Sequence, residues 1–278
     1  MPDYRKRFFV EPGEALRLSK FDTAYRGKHK SPAAAKDDTE RYVKRLTELQ
    51  LRLYAAKSNG VLVVLQAMDT GGKDGTIDHV MGAFNPQGAT VARFNVPTPL
   101  EAAHDFLWRV HPHAPAKGAI AIFNRSHYED VLVTRVLGTI GKGECERRYE
   151  AIRDFERLLV QSGTVVLKFF LHISKAEQLK RFGDRLNDPS RNWKISESDY
   201  TDRQYWDDFV KAYEDALSAT STKHAPWYVI PADRKWFRDL AVSQILSATL
   251  DDLNLHYPKP SVDLDEIRKK YHAALGDG

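Results

Sequence analysis

The sequence predicts an α/β fold of three layers, in which a mainly parallel five-stranded sheet is covered by helices on both faces. Three observations predict it. Five short runs rich in β-branched residues are spaced along the chain, and the stretches between them are long enough for crossover helices. A glycine-rich turn at residues 67–76, AMDTGGKDGT, joins the first run to a helical pattern. Alternation of this kind implies parallel strands, because parallel neighbours need long crossovers and both sheet faces then need cover. At 278 residues the chain can bury a sizeable core, so one large domain is expected.

Residues 1–36 read as an N-terminal arm, with a basic cluster from Tyr4 to Phe9 and a polar stretch from Lys20 to Lys36 that we expect to be extended. Residues 37–278 read as the single domain. From Asp37, Tyr42, Leu46, Leu49 and Leu53 recur at helical spacing with charges between them, which predicts a helix of about five turns. Ser58, Asn59 and Gly60 end it. Strands are predicted at Val61 to Leu65, Thr90 to Phe94, Ile120 to Phe123, Val165 to Ile173 and Trp227 to Ile230. Ser174-Lys175-Ala176-Glu177 then carries a helix-capping signal. Residues 179–211 interrupt the core pattern with Arg181, Arg185, Asp188, Pro189, Arg191, Asn192, Trp193 and Lys194 close together, and we read them as a helical lid.

The formal net charge of +4 is a mild excess with both signs interleaved, which does not imply nucleic acid. Cys145 is the sole cysteine, so neither a disulfide framework nor a cysteine zinc cluster is available. With no signal-peptide pattern at the N-terminus, the expected location is the reducing cytoplasm. Apolar runs such as Val61 to Leu65 are too short to span a bilayer as helices, and no membrane association is expected.

The turn at 67–76 has the parts of a phosphate-binding loop. A strand that runs into glycines and then a helix aims backbone N–H groups at one point, which suits an anion. Gly71 and Gly72 let the backbone approach phosphate closely, and Lys73 would counter the charge of a phosphoryl group in flight. The strict pattern GxxxxGK[ST] fails twice, with Ala67 in place of its first glycine and Asp74 in place of its hydroxyl. That hydroxyl normally ligates magnesium, and Asp69 and Asp74 offer carboxylate oxygens instead, Asp69 being the preferred ligand. The alternative is a strand-to-helix turn that binds nothing.

The predicted third strand ends in Asn124-Arg125-Ser126-His127-Tyr128-Glu129-Asp130, where parallel sheets place ligand-contacting residues. Asn124 is neutral where a metal-holding carboxylate is usual, and Glu129 restores the charge nearby or positions the incoming phosphate. Arg125 and Arg135 can make paired hydrogen bonds to phosphate oxygens. His127 is a candidate general base, although phosphoryl transfer does not demand one. Tyr205, Phe209, Tyr213 and Leu217 have the spacing of core or lid packing.

MDTGGKDGT at 68–76, PTPLEAAHDFLWR at 97–109, IFNRSHYEDVLVTRV at 122–136 and RFGDRLNDPSRNWK at 181–194, in this order, resemble the polyphosphate kinase 2 family of P-loop kinases over nearly the whole chain. The resemblance implies a three-layer P-loop kinase-like core with a helical lid, and magnesium-dependent transfer between inorganic polyphosphate and a nucleotide, with manganese as a substitute metal. It implies roles for Asp69, Lys73, Arg125 and Arg185. Asn124 followed by Glu129 departs from the family's usual aspartate and asparagine and is similar to its class III subgroup, which phosphorylates AMP and ADP to ADP and ATP. Guanine nucleotides are further acceptors to consider.

Taken together, the catalytic set is Asp69, Lys73, Arg125, Glu129 and Arg185, with Asp69 and Glu129 as metal ligands. Polyphosphate is expected across Gly71, Gly72, Lys73, Asp74, Gly75 and Thr76 toward Arg181, Arg185, Arg191 and Lys194. The nucleotide is expected on the side of Asn124, Arg125, Glu129 and Arg135. The family resemblance also suggests assembly of identical subunits, as a dimer or tetramer. The competing readings are an ATP-dependent kinase of a small molecule or nucleotide, and a polyanion- or nucleotide-binding module without catalysis.

Overall fold

The structure, a computed structural model, describes residues 3–195 and 197–276. Its strands are β1 (Gly60–Ala67), β2 (Ala89–Arg93), β3 (Ile120–Asn124), β4 (Thr164–His172) and β5 (Trp227–Pro231). They lie in the order β2-β3-β1-β4-β5 with every neighbouring pair parallel. All eight residues of β1 are buried, as an apolar run covered on both faces must be. The chain leaves β1 for the edge at β2, returns to β3 beside β1, and then crosses to β4 on the other side. The order therefore reverses at β1, and the loops leaving β1 and β3 part to open a crevice at their C-terminal ends.

The helices are α1 (Tyr4–Phe8), α2 (Pro32–Ala56), α3 (Lys73–Thr76), α4 (Pro99–Ala102), α5 (Glu129–Val136), α6 (Lys142–Gln161), α7 (Lys175–Leu186), α8 (Glu197–Gln204), α9 (Trp206–Thr220), α10 (Lys235–Asp252) and α11 (Leu264–Gly276). The pair α2 and α10 covers one face of the sheet, and α5, α6 and α9 pack together over the other. Among the described residues no helix is long and apolar enough to cross a membrane.

Two features of the N-terminal segment differ from the extended arm that its polarity predicts. The helix begins at Pro32, because Ser31 caps it through Ala34 N–H and proline is well suited to a first helical turn. The preceding residues are strapped to the core. Tyr4, Phe8, Val10 and Leu18 are buried, Phe9 bridges to Tyr228 of β5, and Tyr4 N–H donates to Gln244 of α10.

Beneath β3 and β4 a charged pair lies inside the apolar core. Lys168 Nζ is 2.5 Å from Glu156 Oε2 and also donates to the Thr220 carbonyl at 2.8 Å and to the Tyr128 hydroxyl at 3.1 Å. Tyr128 in turn donates to Glu156 at 2.8 Å. This network ties α6 and α9 to the residues just after β3, so it supports the strand end that carries Arg125 and Glu129.

Candidate active site

The loop after β1 turns on two left-handed residues, Thr70 with φ 60° and Gly72 with φ 105°. Glycine is required at 72 for a second reason. A Cβ there would lie 2.0 Å from Nη1 of Arg238, and one at Gly75 would lie 3.0 Å from its Nη2. Arg238 comes from α10, is 1 % exposed, and is paired to Asp239. Its guanidinium is thus the bed on which the loop rests. The helix that follows is short, since α3 makes one turn and passes into a wider π-helical turn at Ile77–Met81.

Arg181 is the second clamp. Its guanidinium donates to the carbonyls of Thr70 at 2.9 Å, Ala232 at 2.5 Å and Asp233 at 3.3 Å, while Nε donates to Glu177 at 2.8 Å. Expected as a polyphosphate ligand, Arg181 is buried and spends its donors on fastening α7 to the loop.

At the end of β3, Arg125 has φ 63°, a conformation that costs a non-glycine residue roughly 1–3 kcal/mol and collects at functional sites. It aims the guanidinium between two carboxylates, donating to Asp69 at 3.0 Å and Glu129 at 3.3 Å. Lys73 Nζ donates to the Ala67 carbonyl at 3.3 Å. Burial, and then the Arg125 charge, push Lys73 down to about 8 against the pull of Asp69, Glu129 and Asp74. Burial pushes the Glu129 carboxyl up, against Arg125 and Lys73.

Asp74 is surrounded. Asn124 Nδ2 donates to it at 2.7 Å, Arg93 lies at 3.2 Å and the lid residue Lys194 at 3.6 Å. Burial would raise this carboxyl, but those partners and Lys73 outweigh it and hold it below the usual range. Asn124 therefore orients Asp74. Asp69 and Glu129, by contrast, share the single cation Arg125.

A cleft of about 520 Å³ opens over the loop, lined by nine Lys and Arg side chains and four Asp. Asp69, Gly71, Gly72, Lys73, Asp74, Gly75, Asn124, Arg125, Arg181, Arg185, Arg191 and Lys194 all line it. Thr76 does not, because it is buried and its hydroxyl turns back to the Gly72 carbonyl at 3.1 Å. A smaller pocket of about 50 Å³ shares Asp69 and Arg125 with the cleft and adds Glu129, Leu132, Val133, Trp206, Phe209 and Tyr213. Arg135 reaches neither space, because Asp215 at 2.6 Å and Tyr149 at 3.3 Å hold it elsewhere. His127 is fully buried with Nε2 3.5 Å from Glu156, so it cannot serve as a base in the cleft.

Sequence reasoning missed Lys235 and Arg238, which line the cleft from the start of α10. Their signal was present only as the spacing of Gly72 and Gly75, which leaves room for a large group beneath the loop.

The same architecture occurs in known proteins. Residues 29–258 match the family model for polyphosphate kinase 2. The chain is 48% identical over 266 residues to an AMP/ADP-polyphosphate phosphotransferase of Meiothermus ruber, covering 94% of this chain and 98% of that one. It is 43% identical over 266 residues to an ADP-polyphosphate phosphotransferase of Rhodopseudomonas palustris, covering 91% and 92%. The crystal structure of polyphosphate kinase 2 from Arthrobacter aurescens superposes with a TM-score of 0.94 at 42% identity, covering 98% of this chain and 97% of that one. The chain is therefore a phosphotransferase, and it belongs to the polyphosphate kinase 2 family.

Proposed function

We propose that this enzyme transfers the terminal phosphoryl group of inorganic polyphosphate to AMP and to ADP, reversibly, giving ADP and ATP. The observation that carries the reading is the pairing of two unlike spaces at Asp69 and Arg125. The larger space is rich in cations, and Trp193 on its wall has Lys194 Nζ 5.1 Å from its ring centre. A polyanion without base or sugar suits such a cleft, since only positive charge and backbone donors can hold it. The smaller space has apolar and aromatic walls suited to a nucleoside, and it must widen as Trp206 and Phe209 move to admit one.

Transfer then occurs where the spaces meet. Lys73 and Arg125 face the phosphoryl oxygens, neutralise their charge and align donor and acceptor in line. Arg185, Arg191 and Lys194 approach from the lid side, and closure excludes water that would otherwise hydrolyse the chain. Glu129 is placed to orient the acceptor phosphate through Arg125.

The residues fit a magnesium ion completed by substrate. Among the described residues no group of three or more His, Cys, Asp and Glu is arranged to hold a metal. Magnesium is commonly held by one or two carboxylates together with substrate phosphates, and Asp69 with Glu129 supplies that many. When bound, it would neutralise phosphate charge; manganese has similar ligand preferences.

Copies of the chain are also proposed to associate, since Leu264, Ile267, Tyr271 and Leu275 form an exposed apolar stripe along α11.

A matrix of AMP, ADP, GMP and GDP with polyphosphate and magnesium, products separated by chromatography, tests the function. Phosphorylation of AMP and ADP that requires polyphosphate is expected. Nucleotide conversion independent of polyphosphate in both directions would overturn the reading.

A further inference from the structure

The start of α10 presents two cations that the reaction at Asp69 and Arg125 does not use. Lys235 is exposed on the wall of the large cleft, and its charged neighbours are Arg181, Arg191, Asp184 and Arg238. None of these five lines the smaller pocket. Arg238 lies under the loop with Nε and Nη2 on Asp239, at 2.8 and 2.7 Å. Its Nη1 is turned toward Gly72, and among the described residues no acceptor is hydrogen-bonded to it. A buried guanidinium with one edge spent on a carboxylate and the other edge at the floor of a cationic cleft is built to receive an anion. Partial burial, and then the charges of Arg181 and Arg191, lower the affinity of Lys235 for its proton, and a bound anion relieves the repulsive part.

We propose that Lys235 and Arg238 form a distal anion subsite that holds phosphates remote from the reacting one, and that Lys235 sets the preference for long polyphosphate over short. The proposal rests on the polyphosphate reading above. The reacting end of the chain is defined by the residues shared between the two spaces, Asp69 and Arg125. Lys235 belongs to the cleft alone, on the side of Arg191 and the loop floor. The proposal requires that a chain anchored at Lys73 cross the loop before it meets Lys235, so that short chains end before that point and long ones gain an additional charge contact.

Lys235→Met tests this directly, because an exposed side chain can be replaced without disturbing the core. Initial rates are measured with tripolyphosphate and with long-chain polyphosphate, at saturating ADP and several salt concentrations. The expected result is a rise in KM of about five- to tenfold for the long chain, a much smaller change for tripolyphosphate, and similar kcat for both. The slope of log KM against log salt for the long chain should also fall by somewhat less than one, which a purely structural role would not produce. Arg238→Lys keeps the charge beside Asp239 and loses the planar second edge. It should raise KM for both chain lengths, since the floor under Gly72 lies closer to the reacting end. Equal KM values for wild type and Lys235→Met with long chains would overturn the proposal, as would an equal loss with both chain lengths. A wild-type enzyme inactive with polyphosphate of either length would overturn the functional reading as well.

Discussion

Replacing Lys73 probes the charge on which the proposed chemistry depends. Its ammonium faces the cleft, yet burial brings it down to about 8, so the free enzyme holds it near half protonated at pH 8 and about one-tenth protonated at pH 9. Bound phosphate stabilises the charged form, so binding must draw a proton from solvent. The uptake should be about half a proton at pH 8 and roughly one-tenth at pH 7. Titration calorimetry of polyphosphate into the enzyme, in buffers of different ionisation enthalpy, reads this number. Lys73→Met should abolish the uptake and lower kcat by about 10²- to 10³-fold, the usual cost of one preorganised charge-stabilising donor. The wild type is expected to lose kcat/KM above about pH 8, and Lys73→Arg should abolish both the uptake and that decline while keeping a positive charge. The sign follows from the depressed value, since loss of the Lys73 proton as pH rises weakens binding. Proton uptake in Lys73→Met equal to that of wild type would refute the reasoning and assign the proton to another group.

Three further substitutions test the architecture. Gly72→Ala combines a φ of 105° with a Cβ 2.0 Å from Arg238, so it should cost about 1–3 kcal/mol from backbone strain before Arg238 moves at all. A denaturation midpoint and activity equal to wild type would contradict it. Lys168→Met leaves Glu156 buried without its cation and should destabilise by about 3–5 kcal/mol, whereas Lys168→Met with Glu156→Leu should recover much of the loss. Urea unfolding of both variants checks this, and equal stability of the single and double variants would remove the pair from the account. Arg135→Ala should change KM for AMP and ADP by less than about twofold, because its guanidinium is held by Asp215 in a partly exposed pair worth at most about 1 kcal/mol. A tenfold rise in either KM would return Arg135 to the nucleotide site.

The sheet and the phosphate loop were legible because their signals are local. The runs at Val61, Thr90, Ile120, Val165 and Trp227 each announce a strand by composition, and long intervening segments leave parallel pairing as the economical arrangement. Glycines beside a lysine after an apolar strand likewise specify a turn for phosphate. Asp69, Lys73, Arg125 and Glu129 are grouped by the structure because the ends of β1 and β3 are adjacent in a register set by the sheet.

What a side chain does once there depended on residues far away in the chain, and only the tertiary structure decided it. Arg181, Arg185 and Arg191 look alike in sequence, but the carbonyls of Thr70, Ala232 and Asp233 converge on Arg181 and leave it a fastener. Arg135 is claimed by Asp215 from α9. The polar N-terminal segment is held by Tyr4, Phe8 and Leu18 in pockets made by elements more than 190 residues later, as the contacts of Tyr4 with Gln244 and Leu18 with Glu214 show. Arg238 reaches the loop from the far end of the chain because α10 crosses beneath α3. The sequence by itself determined which elements form and where a phosphate can be cradled, since periodicity and turn chemistry act over a few residues. Partnership among charged groups was decided by packing, since a guanidinium takes whichever acceptors the fold brings within hydrogen-bonding distance.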